Sequence, residues 1–274
     1  MNFLGDENGC MQPGTNAPMK RRTFVELSMG AVVSSLIRPG TVEAASDARR
    51  IEAVAFDAFP IFDPRPVFAW AGKLFPGEGA ELSQIWRARQ FEYTWLRTVA
   101  GYYTDFWRIT EDALTFAAGS LKLDLNPSAR EQLMNAYLTL KPWPDVVQAL
   151  ETLKSAGIRL ALLSNFSRRM LDAAVSSSNL HGAFDHILST DKVRQFKPAP
   201  KAYQMAVDAF GVSKESIIFA AFAGWDAAGA KWFGFPTVWV NRLNSPREEL
   251  SAAPELICQD LSGLTAFATA QRSP

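Results

Sequence analysis

The chain has 274 residues, 48% of them hydrophobic, with 28 basic and 28 acidic side chains and a formal net charge of zero. That length holds one large or two small domains with a real core, and the balanced charge removes any bulk attraction to nucleic acid or to an anionic membrane. No run approaches the roughly 18 apolar residues of a membrane-spanning helix. The two histidines, His181 and His186, read as structural or surface residues and leave no basis for a histidine triad or a His-rich metal site.

Residues 1–45 differ in character from the rest of the chain. Met1 to Lys20 is polar and turn-rich. Lys20-Arg21-Arg22-Thr23-Phe24-Val25 then opens a modest apolar stretch to Ile37, interrupted by Glu26, and Val42-Glu43-Ala44 offers small residues for cleavage. This reads as a twin-arginine-type export signal, which places the mature chain in the periplasm. The alternative is a disordered extension on a cytoplasmic chain. Cys10 would leave with the signal, so Cys258 would stand alone and no internal disulfide is expected.

Ile51 to Phe56 is an apolar run that reads as a buried first strand, ending at Asp57. From Val67 to Leu138 the pattern turns helical. Leu82, Ile85, Trp86, Tyr93 and Leu96 recur at three- and four-residue steps, with Ala88, Phe91 and Trp95 beside them. Further helices are expected over 110–118 and 128–138, the second capped by Ser128 with Glu131 three residues on. From Pro144 strands and helices alternate: helix 146–156 stopping at Gly157, strand 158–163, helix 168–176, strand 186–188, helix 201–210 stopping at Gly211, strand 217–221, helix 226–232 and strand 237–240. Such alternation argues for a parallel sheet covered on both faces. The expected fold is therefore α/β, a doubly wound, Rossmann-like parallel sheet from 51–62 and 142–270, with a helical cap inserted over 63–141. The cleft between cap and strand ends is the expected site.

Polar clusters fall at or just beyond these strand ends: Asp57, Ser164-Asn165, Lys197-Pro198 and Trp225-Asp226. Each alone is an ordinary turn or surface loop. With right-handed connections they converge on one edge of the sheet, where open α/β sheets bind ligands. Phe59 stands two residues after Asp57, where a magnesium-dependent phosphoryl-transfer enzyme of this layout needs a second acid, and no paired acid accompanies Asp226. A lone aspartate suits a carbon nucleophile better than a metal ligand.

Phe56-Asp57, Leu163-Ser164-Asn165, Phe196-Lys197-Pro198 and Trp225-Asp226-Ala227-Ala228-Gly229-Ala230 resemble the haloacid dehalogenase superfamily. The segment Trp86-Arg87-Ala88-Arg89-Gln90-Phe91-Glu92-Tyr93-Thr94-Trp95-Leu96-Arg97 resembles its type II, (S)-2-haloacid dehalogenase branch. The resemblance covers roughly 51–267. It implies that Asp57 attacks C2 of a small anionic carboxylic acid to form an ester that water then cleaves, turning an (S)-2-haloacid into an (R)-2-hydroxyacid plus halide. Arg87 would face the halide, with Asn165 as its amide partner, and Ser164 with neighbouring backbone amides would hold the carboxylate. Phe91, Phe106 and Trp225 would form the apolar pocket. Lys197 would put positive charge beside Asp57, with Asp226 orienting it and Tyr203 supporting the network. Neither metal nor cofactor is expected, and a homodimer is.

The chain departs from that family at four positions. Pro60 and Ile61 replace a glycine and a threonine after the nucleophile, and Ala221 and Ala223 replace a serine and an asparagine before Trp225. The displacement half of the reaction keeps its parts, whereas the hydrolytic half loses polar support. This leaves two alternatives open. One is opening of the L-azetidine-2-carboxylate ring at C2 by the same mechanism; the other is a catalytically weakened binding protein, which intact Asp57, Lys197 and Asp226 argue against.

Overall fold

Ala53–Phe56, the first strand β1, has every residue buried, as a central strand covered on both faces must. In the computed structural model the described residues are 50–272. The chain divides into Met1–Ala44 and Ala45–Pro274, and the described residues belong to the second unit. The segment read as an export signal lies outside the described residues.

Asp57 ends β1 and caps the short helix α1, Ala58–Ile61, by accepting from the Phe59 N–H. A two-residue strand β2, Phe62–Asp63, comes next. The helical block then comprises α2 (Arg65–Leu74), α3 (Gly79–Ala100), α4 (Phe106–Ser120) and α5 (Pro127–Ala136). Strand β3, Lys141–Pro142, returns antiparallel to β2, so this small ribbon brings both ends of the helical block to one place. The remaining elements are α6 (Val146–Ser155), β4 (Arg159–Ser164), α7 (Arg168–Ser177), β5 (His186–Ser189), α8 (Pro200–Phe210), β6 (Ile217–Ala221), α9 (Gly224–Phe233), β7 (Thr237–Val240), β8 (Leu256–Cys258) and α10 (Leu261–Ala270).

The main sheet has six strands in the order β5-β4-β1-β6-β7-β8, and every pairing is parallel. Successive side chains alternate between two cores. Val54, Phe56, Leu160, Leu162, Ile218 and Ala220 face the larger one, shared with α6, α7 and α10. Ala53, Ala55, Ala161, Leu163, Phe219 and Ala221 face the smaller one under α8 and α9. The chain winds outward from β1 through β4 to β5, then resumes at β6 on the other side. The β1/β6 boundary is therefore the switch point at which a doubly wound sheet opens a ligand crevice at its strand carboxyl ends.

The structure corrects the sequence reading at three places. Helix α5 is capped by Asn126, which accepts from the Ala129 N–H at 2.9 Å, with Pro127 in the first turn. Ser128 is not the cap, because Pro127 already fits the first helical position without its missing N–H. The inward stripe of α3 is Leu82, Ser83, Trp86, Gln90 and Thr94. Leu96 is 63% exposed, and Tyr93 sits at the stripe's margin. The polar members of the stripe escape a hydrophobicity reading because hydrogen bonds satisfy them inside the cap: Ser83 and Thr94 donate to the Gly79 and Phe91 carbonyls of α3 itself, and Gln90 reaches α4. Gln90 Nε2 donates to Thr110 Oγ1 at 2.9 Å, and Trp86 Nε1 donates to the Thr110 carbonyl at 2.8 Å. Finally, β8 and α10 extend the sheet beyond β7, through a short strand whose apolar run is too brief to announce itself.

Candidate active site

The three central strands bring Asp57, Ser164-Asn165 and the segment leading to Asp226 to one edge, because β1, β4 and β6 are neighbours in register. Lys197 arrives from the loop between β5 and α8. Its ammonium donates to Asp57 Oδ1 at 2.8 Å and to Asp226 Oδ2 at 2.6 Å. Lys197 is 1% exposed, so its charge must be paired where it stands. Its backbone N–H donates to Asn165 Oδ1 at 2.8 Å. One position before it, the Phe196 N–H donates to Thr98 Oγ1 of the cap helix α3. The lysine loop is thus fixed from both the core and the cap.

Asp226 lies in the first turn of α9. Its Oδ1 accepts from the Tyr203 hydroxyl at 2.7 Å, so both carboxylate oxygens are engaged. Burial, with the neighbouring Asp57 charge adding to it, pushes Asp226 up to about 6 despite the opposing pull of Lys197 and Tyr203. For Lys197 burial acts to lower the ammonium, but Asp226 and Asp57 together outweigh it and the net shift is upward. Burial beside the same carboxylates raises the Tyr203 hydroxyl well above the ordinary range.

Opposite this cluster lies Arg87, on α3. Its guanidinium stacks over the Phe68 ring at 5.1 Å, and burial lowers it from its ordinary value, with Tyr137 opposing weakly. Among the described residues no carboxylate forms an ion pair with it. Asn165 Nδ2 is buried without a hydrogen-bond partner. A desolvated cation without an acid partner and an unused amide donor together mark a place for an anion.

Asp57, Arg87, Phe91, Phe106, Ser164, Asn165, Lys197, Trp225 and Asp226 line a single pocket. Tyr203 does not; it sits behind Asp226 in the core under α8. The pocket's free volume is ≈ 30 Å³, where a water needs about 10–15 Å³, so the space suits a very small ligand. Phe59, Phe166, Phe222 and Ala223 complete the lining. Phe59 packs edge-on against Phe166 at 5.2 Å and tilted against Phe222 at 5.5 Å, while Phe91 meets Trp225 at 5.1 Å. The sequence reading assigned no site role to Phe166 or Phe222, and used Phe59 only to exclude a metal. Their adjacency to Asn165, Ala223 and Asp57 is the one sequence signal that points to them.

The departures fall in different surroundings. Ile61 and Ala221 are fully buried, and Ala221 belongs to the core beneath Tyr203. Ala223 faces the pocket itself. The residues present do not fit a divalent cation. The Lys197 ammonium occupies the space between Asp57 and Asp226, and Phe59 stands where a second acid ligand would be needed. Among the described residues no group of three or more His, Cys, Asp or Glu could hold a metal.

A carboxylate at the central strand end of a doubly wound sheet, backed by a buried lysine and roofed by an inserted helical cap, defines a class of capped α/β hydrolases. A sequence profile described as haloacid dehalogenase-like hydrolase matches residues 31–234. An (S)-2-haloacid dehalogenase of Pseudomonas sp. strain YL is 43% identical over 206 residues, covering 75% of this chain and 89% of that one. Haloacetate dehalogenase H-2 of Moraxella sp. strain B is 40% identical over 208 residues, covering 76% and 93%. Among solved structures, the L-2-haloacid dehalogenase of Xanthobacter autotrophicus with chloropropionic acid covalently bound matches with a TM-score of 0.73 at 34% identity, over 79% of this chain and 98% of that one. The chain belongs to the haloacid dehalogenase-like hydrolases.

Proposed function

We propose that the protein is a hydrolytic (S)-2-haloacid dehalogenase working through an ester on Asp57. The observation that carries this reading is the pairing of a carboxylate–lysine–carboxylate cluster with an acid-free, half-buried arginine across a pocket of very small volume. Asp57 Oδ1 is held by Lys197 at 2.8 Å, whereas Oδ2 has only a 3.3 Å bond from the Phe59 N–H. Oδ2 is the freer oxygen for attack on C2. As the new C–O bond forms, the C–halogen bond breaks in line and the halide leaves as an anion toward Arg87 and Asn165 Nδ2. In this reading Ser164, which lines the pocket, takes the substrate carboxylate. Water then adds to the Asp57 carboxyl carbon, Lys197 stabilises the negative charge that develops there, and the ester C–O bond on the Asp57 side breaks. The products are the inverted hydroxyacid, halide and one proton, with a water oxygen left in Asp57.

That last feature gives the test. A single turnover in ¹⁸O-water should place the label in the Asp57 carboxylate, read by peptide mass spectrometry. Label found in the product of the first turnover, with none in Asp57, would falsify the covalent route.

A second reading, opening of L-azetidine-2-carboxylate at the same C2, is favoured by one feature, the replacement of a polar side chain by Ala223 at the pocket wall. Arg87 without an acid partner favours halide as the leaving group. The assembly we propose is a homodimer, supported by the apolar end of α3, where Leu96 and Val99 are exposed, and by the exposed Tyr102 just beyond it. Export to the periplasm rests on the Arg21-Arg22 segment.

A further inference from the structure

Next to the catalytic pocket, toward the outside, lies a second crevice of ≈ 330 Å³ between the cap helix α3 and the loop that follows β7. The two share Arg87, Phe91, Phe222, Ala223 and Trp225 as a common wall. Every shared side chain is large except Ala223, which presents a single methyl. The partition is therefore thinnest at that residue.

The crevice is braced on its core side. Trp239 Nε1 donates to the Phe222 carbonyl at 2.9 Å. In the loop beyond β7, Asn241 Nδ2 donates to the Ser245 carbonyl at 2.9 Å and the Ser245 N–H returns to Asn241 Oδ1 at 2.8 Å. Arg242 ties the same loop to the Pro60 carbonyl, at 2.8 Å from Nη2. Glu248 closes the rim above Gly224, so closely that a Cβ on Gly224 would lie 2.6 Å from Glu248 Cγ. The interior surface is mostly apolar, with Phe91, Trp225, Trp239, Leu243 and Pro246, and Glu248 puts a negative charge at the rim.

The geometry at the reacting carbon says what can enter. In-line displacement places Asp57 and the departing halide on opposite sides of C2. The substrate carboxylate takes the direction of Ser164. Two substituents then remain on C2, the hydrogen and the side chain. The hydrogen needs no space of its own, whereas a side chain longer than a methyl outgrows a pocket of ≈ 30 Å³ and needs a way out, which the wall offers most readily at Ala223. We infer that the crevice is a side-chain subsite that takes an uncharged apolar chain on C2 through the gap at Ala223. The enzyme then accepts 2-halo acids of roughly four to six carbons, a size that a pocket of this volume accommodates. Glu248 discriminates against a second carboxylate at the chain's end by like-charge repulsion. The inference rests on the proposed dehalogenation.

The test compares (S)-2-bromopropionate with (S)-2-bromohexanoate on the whole protein. It uses two variants that narrow the crevice from opposite sides, Ala88→Trp on α3 and Ser245→Trp on the loop. Both residues are exposed and line only the outer crevice. The wild type should consume both acids. Each variant should lower the hexanoate-to-propionate ratio of kcat/KM by about tenfold or more, mainly through KM, since single hydrophobic-pocket groups discriminate on that scale. A wild type that consumes bromopropionate and rejects bromohexanoate overturns the subsite. So does an unchanged ratio in both variants, because the chain then lies elsewhere. If neither acid is consumed, the dehalogenation itself fails and the subsite falls with it.

Discussion

Lys197 is the one cation between two carboxylates, and the energetics of the site turn on that arrangement. Removing it leaves Asp57 and Asp226 facing each other in a buried space, at a cost of about 3–5 kcal/mol where a buried pair loses one partner. Asp226 carries the pH dependence. Its native value near 6 lies above the ordinary 3.8, so the folded state binds its proton more tightly than the unfolded chain does. The Asp226 contribution to stability is therefore complete below about 3.8 and is lost as pH rises through about 6. Activity should move oppositely, because protonated Asp226 no longer pairs with Lys197, and kcat/KM is expected to rise with pH through about 6. Urea midpoints and rates, measured from pH 4 to 8, should show these opposing trends in the wild type. Asp226→Asn should abolish activity and flatten that part of the stability profile; an Asn variant with an unchanged pH slope would assign the titration to another group.

At the scale of elements, the site depends on how closely α9 meets α8. Gly229 of α9 lies against Tyr203 and Pro198. A Cβ built there would stand 2.6 Å from the Tyr203 hydroxyl oxygen and 2.6 Å from Pro198 Cβ. Gly229→Ala should push the hydroxyl off Asp226 and shift the lysine loop. Overpacking of this kind costs about 1–3 kcal/mol of stability, seen as a lowered urea midpoint. The loss in kcat should be larger than that of Tyr203→Phe, which deletes the Asp226 bond without moving Pro198. Equal losses in the two variants would show that Gly229 acts through the hydroxyl alone. The cap contributes in the same way through α3, whose Thr98 accepts from the Phe196 N–H beside Lys197.

At the scale of the molecule, the end of α3 carries Leu96 at 63% and Val99 at 88% exposure, with Tyr102 at 78% just beyond it. Exposed apolar side chains close together in the chain suit an interface, and the proposed homodimer would cover them. Light scattering at micromolar concentration should give twice the mass of one chain, and Val99→Glu should halve it. A monomeric wild type would refute the dimer. The described helices include none long and apolar enough to cross a membrane.

What the sequence determined by itself was whatever depends on local pattern and order. Alternating apolar runs and glycine stops announced the doubly wound sheet, and Asp57, Ser164-Asn165, Lys197 and Asp226 stood out because each follows or nears a strand end. The extended motif around Arg87 announced the family, which composition alone could not. What only tertiary structure decided was contact between distant segments. The inward face of α3 runs through Gln90, which Thr110 of α4 satisfies, and Thr94, which bonds back to the Phe91 carbonyl, and hydrophobic periodicity does not register such partners. Tyr203 stands behind Asp226, outside the pocket, and Phe166 and Phe222 stand inside it, because strand ends from three parts of the chain meet there. The outer crevice at Ala223 was invisible for the same reason: a missing side chain has no signature until the walls it would have joined are brought together.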